Sequence, residues 1–442
     1  MKKTIVLLMA LFPALAFAQD ARTLSVEDVV SLALKNSKGM HISEMRVESA
    51  SAKYGEVGAA NKPTVKVQAG YTRLSDVPPF QVQLPGAAAP ATLAPTILDS
   101  YALKVTAQQP LYTGGRLEKS VQAAEYSARA AEHDLYRDVS DTALAAKGAY
   151  WSLYKAIKIK NVMDENVEQV KSHLADVGNM VQAGVMLRDE QLKVQVQLSN
   201  ALFAQVDAVN NVRLSMMSLN NIIGLPLETE VYPGSALMPP DKALRPLEQY
   251  RQEALENRAE VKAASMRLEA SGSSADAARG GYYPQVSLFG DYYYQRPNQR
   301  FFPSRDQFDG SWDIGIAVSY DILDWGTTKY QTKQAEAVRS QSGFALEQLR
   351  DAITLEVNQS YLTLLQAKDR ISIASGGVAQ AEESYRITKN RFANGQATNT
   401  ETLDAEVALL QAKLNYTIAV VDYEISDARL RRAVGAAEDT KK

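Results

Sequence analysis

The 442-residue chain contains no cysteine. That excludes disulfides, thiolate metal sites, cysteine nucleophiles and lipidation of a mature N-terminal cysteine. Histidine is nearly as scarce. His41, His133 and His173 stand in no HExxH, GxSxG or P-loop setting, and lone histidines on helices usually serve surface or packing roles. Carboxylates are many, but no pair stands apart from helix-surface charge. No enzymatic activity, cofactor or bound metal is expected. An excess of one charge is missing too: 48 basic against 51 acidic side chains leave −3, which gives no support to nucleic-acid binding. Beyond the N-terminus no apolar run reaches the ~18 to 20 residues a membrane helix needs. Proline is absent from 111–225 and after Pro303. A proline inside a helix costs about 3 kcal/mol, so both intervals are permissive for very long helices.

What is present begins with Lys2 and Lys3 ahead of IVLLMALFPALAFA. An uncleaved anchor is the alternative reading, but the run is short and contains Pro13. Its end, Ala16-Phe17-Ala18, has the form of a cleavage site, so 1–18 is expected to be a secretory signal peptide. An exported chain without membrane helices re-enters a membrane only as a closed β-barrel.

The chain repeats itself. Gly115 and Gly326, Gly184 and Gly395, Gly224 and Gly435 are each 211 residues apart, as are Tyr150 and Tyr361. Earlier landmarks, ALKNS at 33–37 against ALENR at 254–258 and Pro63 against Pro284, differ by 221. The first copy therefore carries ten extra residues, placed in the Pro/Ala-rich VPPFQVQLPGAAAPATLAP, which reads as a loop. Units this long imply a duplicated domain rather than a solenoid. Repeat 1 is expected over 19–224, with a helix, strands near 63–73 and 100–110, a long helix near 116–182 and a helix near 187–223. A linker follows at 225–248. Repeat 2, over 249–436, has a helix, strands near 283–295 and 311–323, a long helix near 327–392 and a helix near 398–436; 437–442 is a tail. Apolar residues spaced by threes and fours, such as Leu403, Val407, Leu410 and Leu414, place one stripe along each helix, as in coiled coils. At ~1.5 Å per residue the long helices span on the order of 100 Å, more than a globular core accommodates.

A soluble coiled-coil stalk would fit the helices, but the strands argue against it. Trp312, Ile314, Ile316, Val318, Tyr320 and Ile322 alternate with Asp313, Gly315, Ala317, Ser319 and Asp321, and GYYPQVSLFGDYYYQ at 281–295 is rich in tyrosine. Alternation over ~10 residues with aromatic ends is the transmembrane β-strand pattern, although a half-buried soluble sheet shares it. Four strands close no barrel, and an open edge in lipid is not viable. Two chains would supply eight strands, leaving an interior filled by side chains; three would supply twelve and leave a passage. Gly114-Gly115 and Trp325-Gly326 are then the bends where a barrel strand turns into a helix, and Gly114, Gly115 and Gly326 suit the change of direction.

LSVEDVVSLALKNS, QQPLYTGGR, SYDILDWGTTK and RFANGQATNTETLDAEVALLQAKLNY closely resemble the TolC-type outer-membrane efflux channels, in order and over the whole mature chain. The resemblance implies an α+β membrane protein. Four strands per chain would join a trimeric 12-stranded barrel, continued by an antiparallel coiled-coil tunnel in the periplasm of a Gram-negative bacterium, with 225–248 in an equatorial region. It implies passive export in a tripartite efflux or type I secretion system, with a periplasmic adaptor and an inner-membrane transporter of the RND, ABC or a similar type as partners. The alternative is a secreted structural or adhesive coiled coil without a pore. By the same resemblance, Glu401 and Asp404 line the periplasmic aperture, where like charges in a narrow opening favour cations; acids at a helix start also simply complement its dipole. Glu190, with Asp189 beside it, stands where the family has a gating acid. The family's gating tyrosine and arginine are replaced by Phe392 and Ala397, so two usual gate links are absent; Arg188, Lys389 and Arg391 are candidate substitutes. The turns Gly184-Val185-Met186 and Gly395-Gln396 match adaptor-docking tips, and their glycines also suit plain helix caps. The cargo is not encoded in these motifs.

Overall fold

A computed structural model describes residues 22–83, 85–86, 88–94, 96–235 and 244–436. The expected signal peptide, the tail and 236–243 of the linker lie outside the described residues. In chain order the elements are β1 (Arg22–Leu24), α1 (Val26–Asn36), α2 (Lys38–Ala59), β2 (Thr64–Arg73), β3 (Phe80–Val82), β4 (Ala91–Ala94), β5 (Asp99–Tyr112), α3 (Arg116–Gln182), α4 (Arg188–Ile223), β6 (Val231–Pro233), α5 (Leu247–Asn257), α6 (Ala259–Arg279), β7 (Gln285–Arg296), β8 (Asp309–Ser319), α7 (Thr327–Ala393) and α8 (Asn399–Val434). The duplication is visible in the lengths: α3 and α7 have 67 residues each, α4 and α8 have 36 each.

Local chemistry sets the ends. Ser25 and Asp28 form a capping box at α1, and Thr398 and Glu401 form one at α8, each satisfying N–H groups the helix leaves unpaired. Gly224 and Gly435 end α4 and α8 in the left-handed conformation, which costs glycine nothing. Where one helix was expected at the start of each repeat, two are found. Ser37 and Arg258 adopt extended backbone between them, which a continuous helix excludes.

The chain divides into two compact units. One combines residues up to Ile42 with Tyr136–Arg258 and the chain from Ala352 onward. Its core joins Val29 and Ala33 of α1, Tyr150 and Leu153 of α3, Leu219 and Ile223 of α4, and Val421 of α8. β1 and β6 pair in parallel beside it, and the Tyr150 hydroxyl accepts a hydrogen bond from Ser235 N–H at 2.8 Å. Buried Arg258 bonds Glu356, which also receives Arg432 at 3.0 Å.

The other unit combines Ser43–Leu135 with Ala259–Asp351. It holds a four-stranded antiparallel sheet in the order β2-β5-β7-β8. Pro110 sits in β5 at a register shift against β7, a place where a missing N–H is tolerated. Two details depart from the sequence reading. The stretch taken as loop contains a small hairpin, β3 with β4. The last strand ends at Ser319 rather than at 323. Asp324 accepts hydrogen bonds from the N–H groups of Gly326 and Thr328, both at 2.8 Å, and so turns the chain toward α7 early.

Candidate functional site

Two places carry the chemistry expected of the chain, one in each unit. The first is the sheet. Its register aligns rows straight across all four strands: Val67, Val105, Tyr292 and Trp312 form one, Val65, Ala107, Gly290 and Ile314 the next. The opposite face carries Lys66, Thr106, Asp291 and Asp313, then Gln68, Lys104, Tyr293 and Ser311. Lys104 and Asp291 pair there at 3.0 Å. The apolar row is not covered: Val65, Val67, Trp312, Ile314, Ile316 and Val318 are each about two-thirds exposed. A large exposed apolar face of this kind marks contact with another apolar phase. β2 and β8 are the outer strands, so within one chain each presents an unpaired edge of backbone donors and acceptors.

The strand-to-helix bends have backbone causes. Gly114, Gly115 and Gly326 have φ of +66°, +78° and +84°, and Trp325 has +54°. A Cβ on Gly114 would stand 2.5 Å from the Gly280 carbonyl oxygen, and one on Gly280 would stand 2.8 Å from Arg116 Cβ. The link from β5 to α3 and the link from α6 to β7 thus cross at contact distance, through two glycines facing each other.

The second place is the pair of turns joining α3 to α4 and α7 to α8. Gly184 (φ +73°) and Gly395 (φ +69°) close the long helices. The bonds match between copies: Val185 N–H to Met180 O, 3.0 Å, and Gln396 N–H to Arg391 O, 2.8 Å, each the longer closure of a Schellman cap. Val185 is exposed and Gln396 is exposed, whereas Met186 packs inward against the core of Val170, Val177, Val194 and Phe392. Arg391 donates from its guanidinium to Gln396 O at 2.8 Å.

The expected gate residues separate. Glu401 accepts from Thr398 N–H at 2.6 Å and from the Thr398 hydroxyl at 3.0 Å. The backbone bond is the main cause that holds its carboxyl below the usual range. Both bonds fall on Oε2, so the cap holds one oxygen of Glu401, while Asp404 is exposed one helical turn away. Asp189 is exposed and lies 3.9 Å from Lys193. Glu190 bonds Lys193 at 2.6 Å and accepts from Asn399 Nδ2 at 2.8 Å. Lys193 first, then Asn399, draws its carboxyl below the ordinary value. Phe392 faces no opening within the chain; it is buried, with its ring 5.3 Å from that of His173.

That histidine was missed by the sequence reading. His173 and Glu406 are both buried. His173 Nδ1 lies 2.9 Å from Glu406 Oε1 and Nε2 lies 2.8 Å from Asn399 Oδ1. Its partners are 226 and 233 residues away, so no spacing could have signalled them. Among the described residues no helix is long and apolar enough to cross a membrane, and no cluster suits a metal ion.

A family model described as "Outer membrane efflux protein" matches the chain in two segments, 29–225 and 250–436. The outer membrane protein TolC of Vibrio cholerae is 23% identical over 334 residues, covering 72% of this chain and 73% of that protein. Among solved structures, the CmeC outer membrane channel of Campylobacter jejuni superposes with a TM-score of 0.80 at 16% identity, covering 94% of this chain and 87% of that one. The outer membrane protein VceC of Vibrio cholerae gives 0.77 at 20%, covering 93% and 96%.

Proposed function

The chain belongs to the outer membrane efflux protein family, and from that premise we propose that three copies form one export duct across the outer membrane. The observation that carries this reading is the sheet. It has an exposed apolar face, a polar face and two bare edges. In lipid, every backbone group on those edges needs a partner. Pairing β8 of one chain with β2 of the next meets that need three times over and gives twelve strands around a polar lumen. The apolar rows then face lipid, and the Lys104–Asp291 face lines the passage.

The helices form the periplasmic tunnel. A groove of about 580 Å³ between α7 and α8 has small residues such as Ala374, Gly377 and Ala408 on its walls, beside larger ones such as Arg370, Ile373 and Ile418. Where the small residues lie, a neighbouring copy's helix can approach closely. Gly184, Val185, Gly395 and Gln396 form the tips that meet a periplasmic adaptor, with Met186 anchoring the first turn on the core beneath it; through the adaptor an inner-membrane transporter delivers cargo and supplies the energy. Asp404, with its carboxylate uncommitted to a cap, is the principal aperture acid, and Asp189 and Glu401 add negative charge around it. The duct itself is passive and performs no catalysis.

The test is reconstitution of the purified full chain in planar bilayers. Discrete cation-favouring channels, blocked by divalent cations from the periplasmic side, are expected. Asp404→Ala should weaken that block more than Glu401→Ala. Equal block in Asp404→Ala and the unaltered chain would remove Asp404 from the aperture. A stably monomeric product without conductance would overturn the duct.

A further inference from the structure

Two helices carry apolar stripes that nothing in the chain covers. On α4, Leu192, Phe203, Val206 and Met217 are exposed, Phe203 at 74%. On α7, Leu362, Ile373 and Ile387 are exposed, Ile373 at 75%. These are not the faces that pack the chain's own core, since α4 turns Val194, Ala201 and Ala208 inward. Nor do the two stripes meet within one chain. Gln205 of α4 bonds Asp164 of α3 at 2.7 Å, and Glu165 of α3 pairs with Lys413 of α8 at 2.9 Å. α7 lies beyond α8, across the groove that both helices line. At this level the order is α4, α3, α8, α7, so the striped helices are the outer two.

Counted from the turn glycines, Gly184 for α4 and Gly395 for α7, the stripes match level by level. Leu192 is level with Ile387 at 8 residues, Val206 with Ile373 at 22, and Met217 with Leu362 at 33. These levels keep the alternating three- and four-residue spacing of a coiled-coil seam. Phe203, the bulkiest member, is level with Gly376 at 19. A Cβ on Gly376 or on Gly377 meets nothing within 4 Å, although glycine inside a helix is costly beside alanine. The chain itself makes no use of that space. Asn210 is level with Asp369 at 26, a polar residue against a polar one. Ser199 with Gln380 and Arg213 with Gln366 are likewise polar on both sides; Val196 against Glu383 is the one unlike pair. Asp207, one turn beyond Phe203, and Arg370, on the groove wall, are both exposed and flank the same side of the seam with opposite charge. Neither has an ion-pair partner within the chain among the described residues.

We propose that α4 of one copy and α7 of the next zip together as an antiparallel coiled coil, with Phe203 seated as a knob over Gly376 and Gly377. The occupant of each stripe is a second copy of this chain. The proposal rests on the export-duct reading and names the seam between its subunits. Rotation about an axis along the tunnel keeps every residue at its own height, so copies in a closed ring meet level with level. The Asn210 amide then donates to the Asp369 carboxylate, and Asp207 comes beside Arg370. A polar layer of this kind fixes the register of a coiled coil at some expense of stability. A slip of one heptad would set Phe203 against Asp369 or Glu383, so the level register alone keeps it in apolar company.

The chain has no cysteine, so paired cysteines in the full chain map the seam. Val206→Cys with Ile373→Cys should give linked dimers and trimers on oxidation of outer-membrane preparations. Val206→Cys with Leu362→Cys, 11 residues out of level, should give neither. A size exchange supplies the second readout, the lifetime of the SDS-resistant trimer at fixed temperature. Gly376→Phe should shorten it about tenfold or more by overpacking the seam. The new side chain has room within its own chain, so the loss belongs to the interface. Phe203→Ala alone should also shorten the lifetime, but added to Gly376→Phe it should restore most of it, because the bulky residue has only changed sides. Linkage within one chain only, no linkage at 206 and 373, or a Gly376→Phe trimer as durable as the unaltered one would overturn the seam. So would an unchanged lifetime in Phe203→Ala, the result expected if an adaptor helix covers the stripe. In each of these cases conducting trimers leave the duct standing. An unaltered chain that is monomeric and non-conducting would overturn both.

Discussion

Gly114 and Gly115 offer a matched pair for testing how the strand is coupled to the helix. Both have positive φ, so alanine at either position meets the left-handed penalty of roughly 1–2 kcal/mol. They differ in space. A Cβ on Gly115 meets nothing within 4 Å, whereas one on Gly114 stands 2.5 Å from the Gly280 carbonyl oxygen and 2.7 Å from Tyr283 Cβ. Neither obstacle is the end of a flexible side chain, so the crossing link must move, which adds about 1–3 kcal/mol of overpacking. Gly114→Ala should therefore exceed Gly115→Ala by about 2 kcal/mol per chain, roughly 30-fold in a rate. The assay is heat dissociation of the SDS-resistant oligomer, followed at fixed temperature and as a midpoint. Gly280→Ala, pressing on the same crossing from the other side, should resemble Gly114→Ala. Equal losses in Gly114→Ala and Gly115→Ala would refute the argument that close approach selects glycine at 114.

Phe392→Ala should destabilise the turn core by about 3–5 kcal/mol, read as loss of amide-exchange protection at Val170, Val177 and Val194, its packing neighbours. Unchanged protection would mean the ring is not part of that core. Thr398→Ala should cost about 1 kcal/mol through the lost cap and fray the first turn of α8, again by amide exchange. Glu401 adds a pH dependence to the same turn. Its carboxyl is held below its ordinary 4.5 by bonds from Thr398, so its contribution is fully present above that value and is lost as pH falls through the lower, folded one. Protection of the α8 start should fall in that acid window, and Glu401→Gln should remove the step; a step that persists in the variant would assign it elsewhere.

Much of this architecture was legible because it is written in backbone chemistry. Proline gaps permitted α3 and α7, and glycines at 115, 184 and 224 recur 211 residues on at helix boundaries. Alternation at 312–318 marked β8 because its two faces meet different surroundings. Features that depend on distant or local geometry were not legible. The break at Arg258 carries no glycine or proline, and at Ser37 the only such signal is Gly39 two residues on, within the second helix, so neither stood out from the helical pattern. The β3–β4 hairpin lies in a Pro/Ala-rich stretch whose composition reads as loop whether or not its backbone pairs. Glu401 reads equally well as an aperture acid and as the third residue of a capping box, and the fold shows it in the box. His173 reads as a lone histidine on a long helix, since its carboxylate and amide come from the other repeat.

The most direct test of the account is whether β8 of one chain pairs with β2 of the next. The absence of cysteine makes the experiment clean: one cysteine at Ala69 on β2 is combined in turn with one at each position from 311 to 318 on β8. Paired strands bring opposite Cβ atoms to about 4.5–5.5 Å, close enough for oxidation to join them with small adjustment. The account predicts covalently linked trimers at alternating β8 positions in outer-membrane preparations. Uniform failure to cross-link, or linkage within a single chain only, would contradict it.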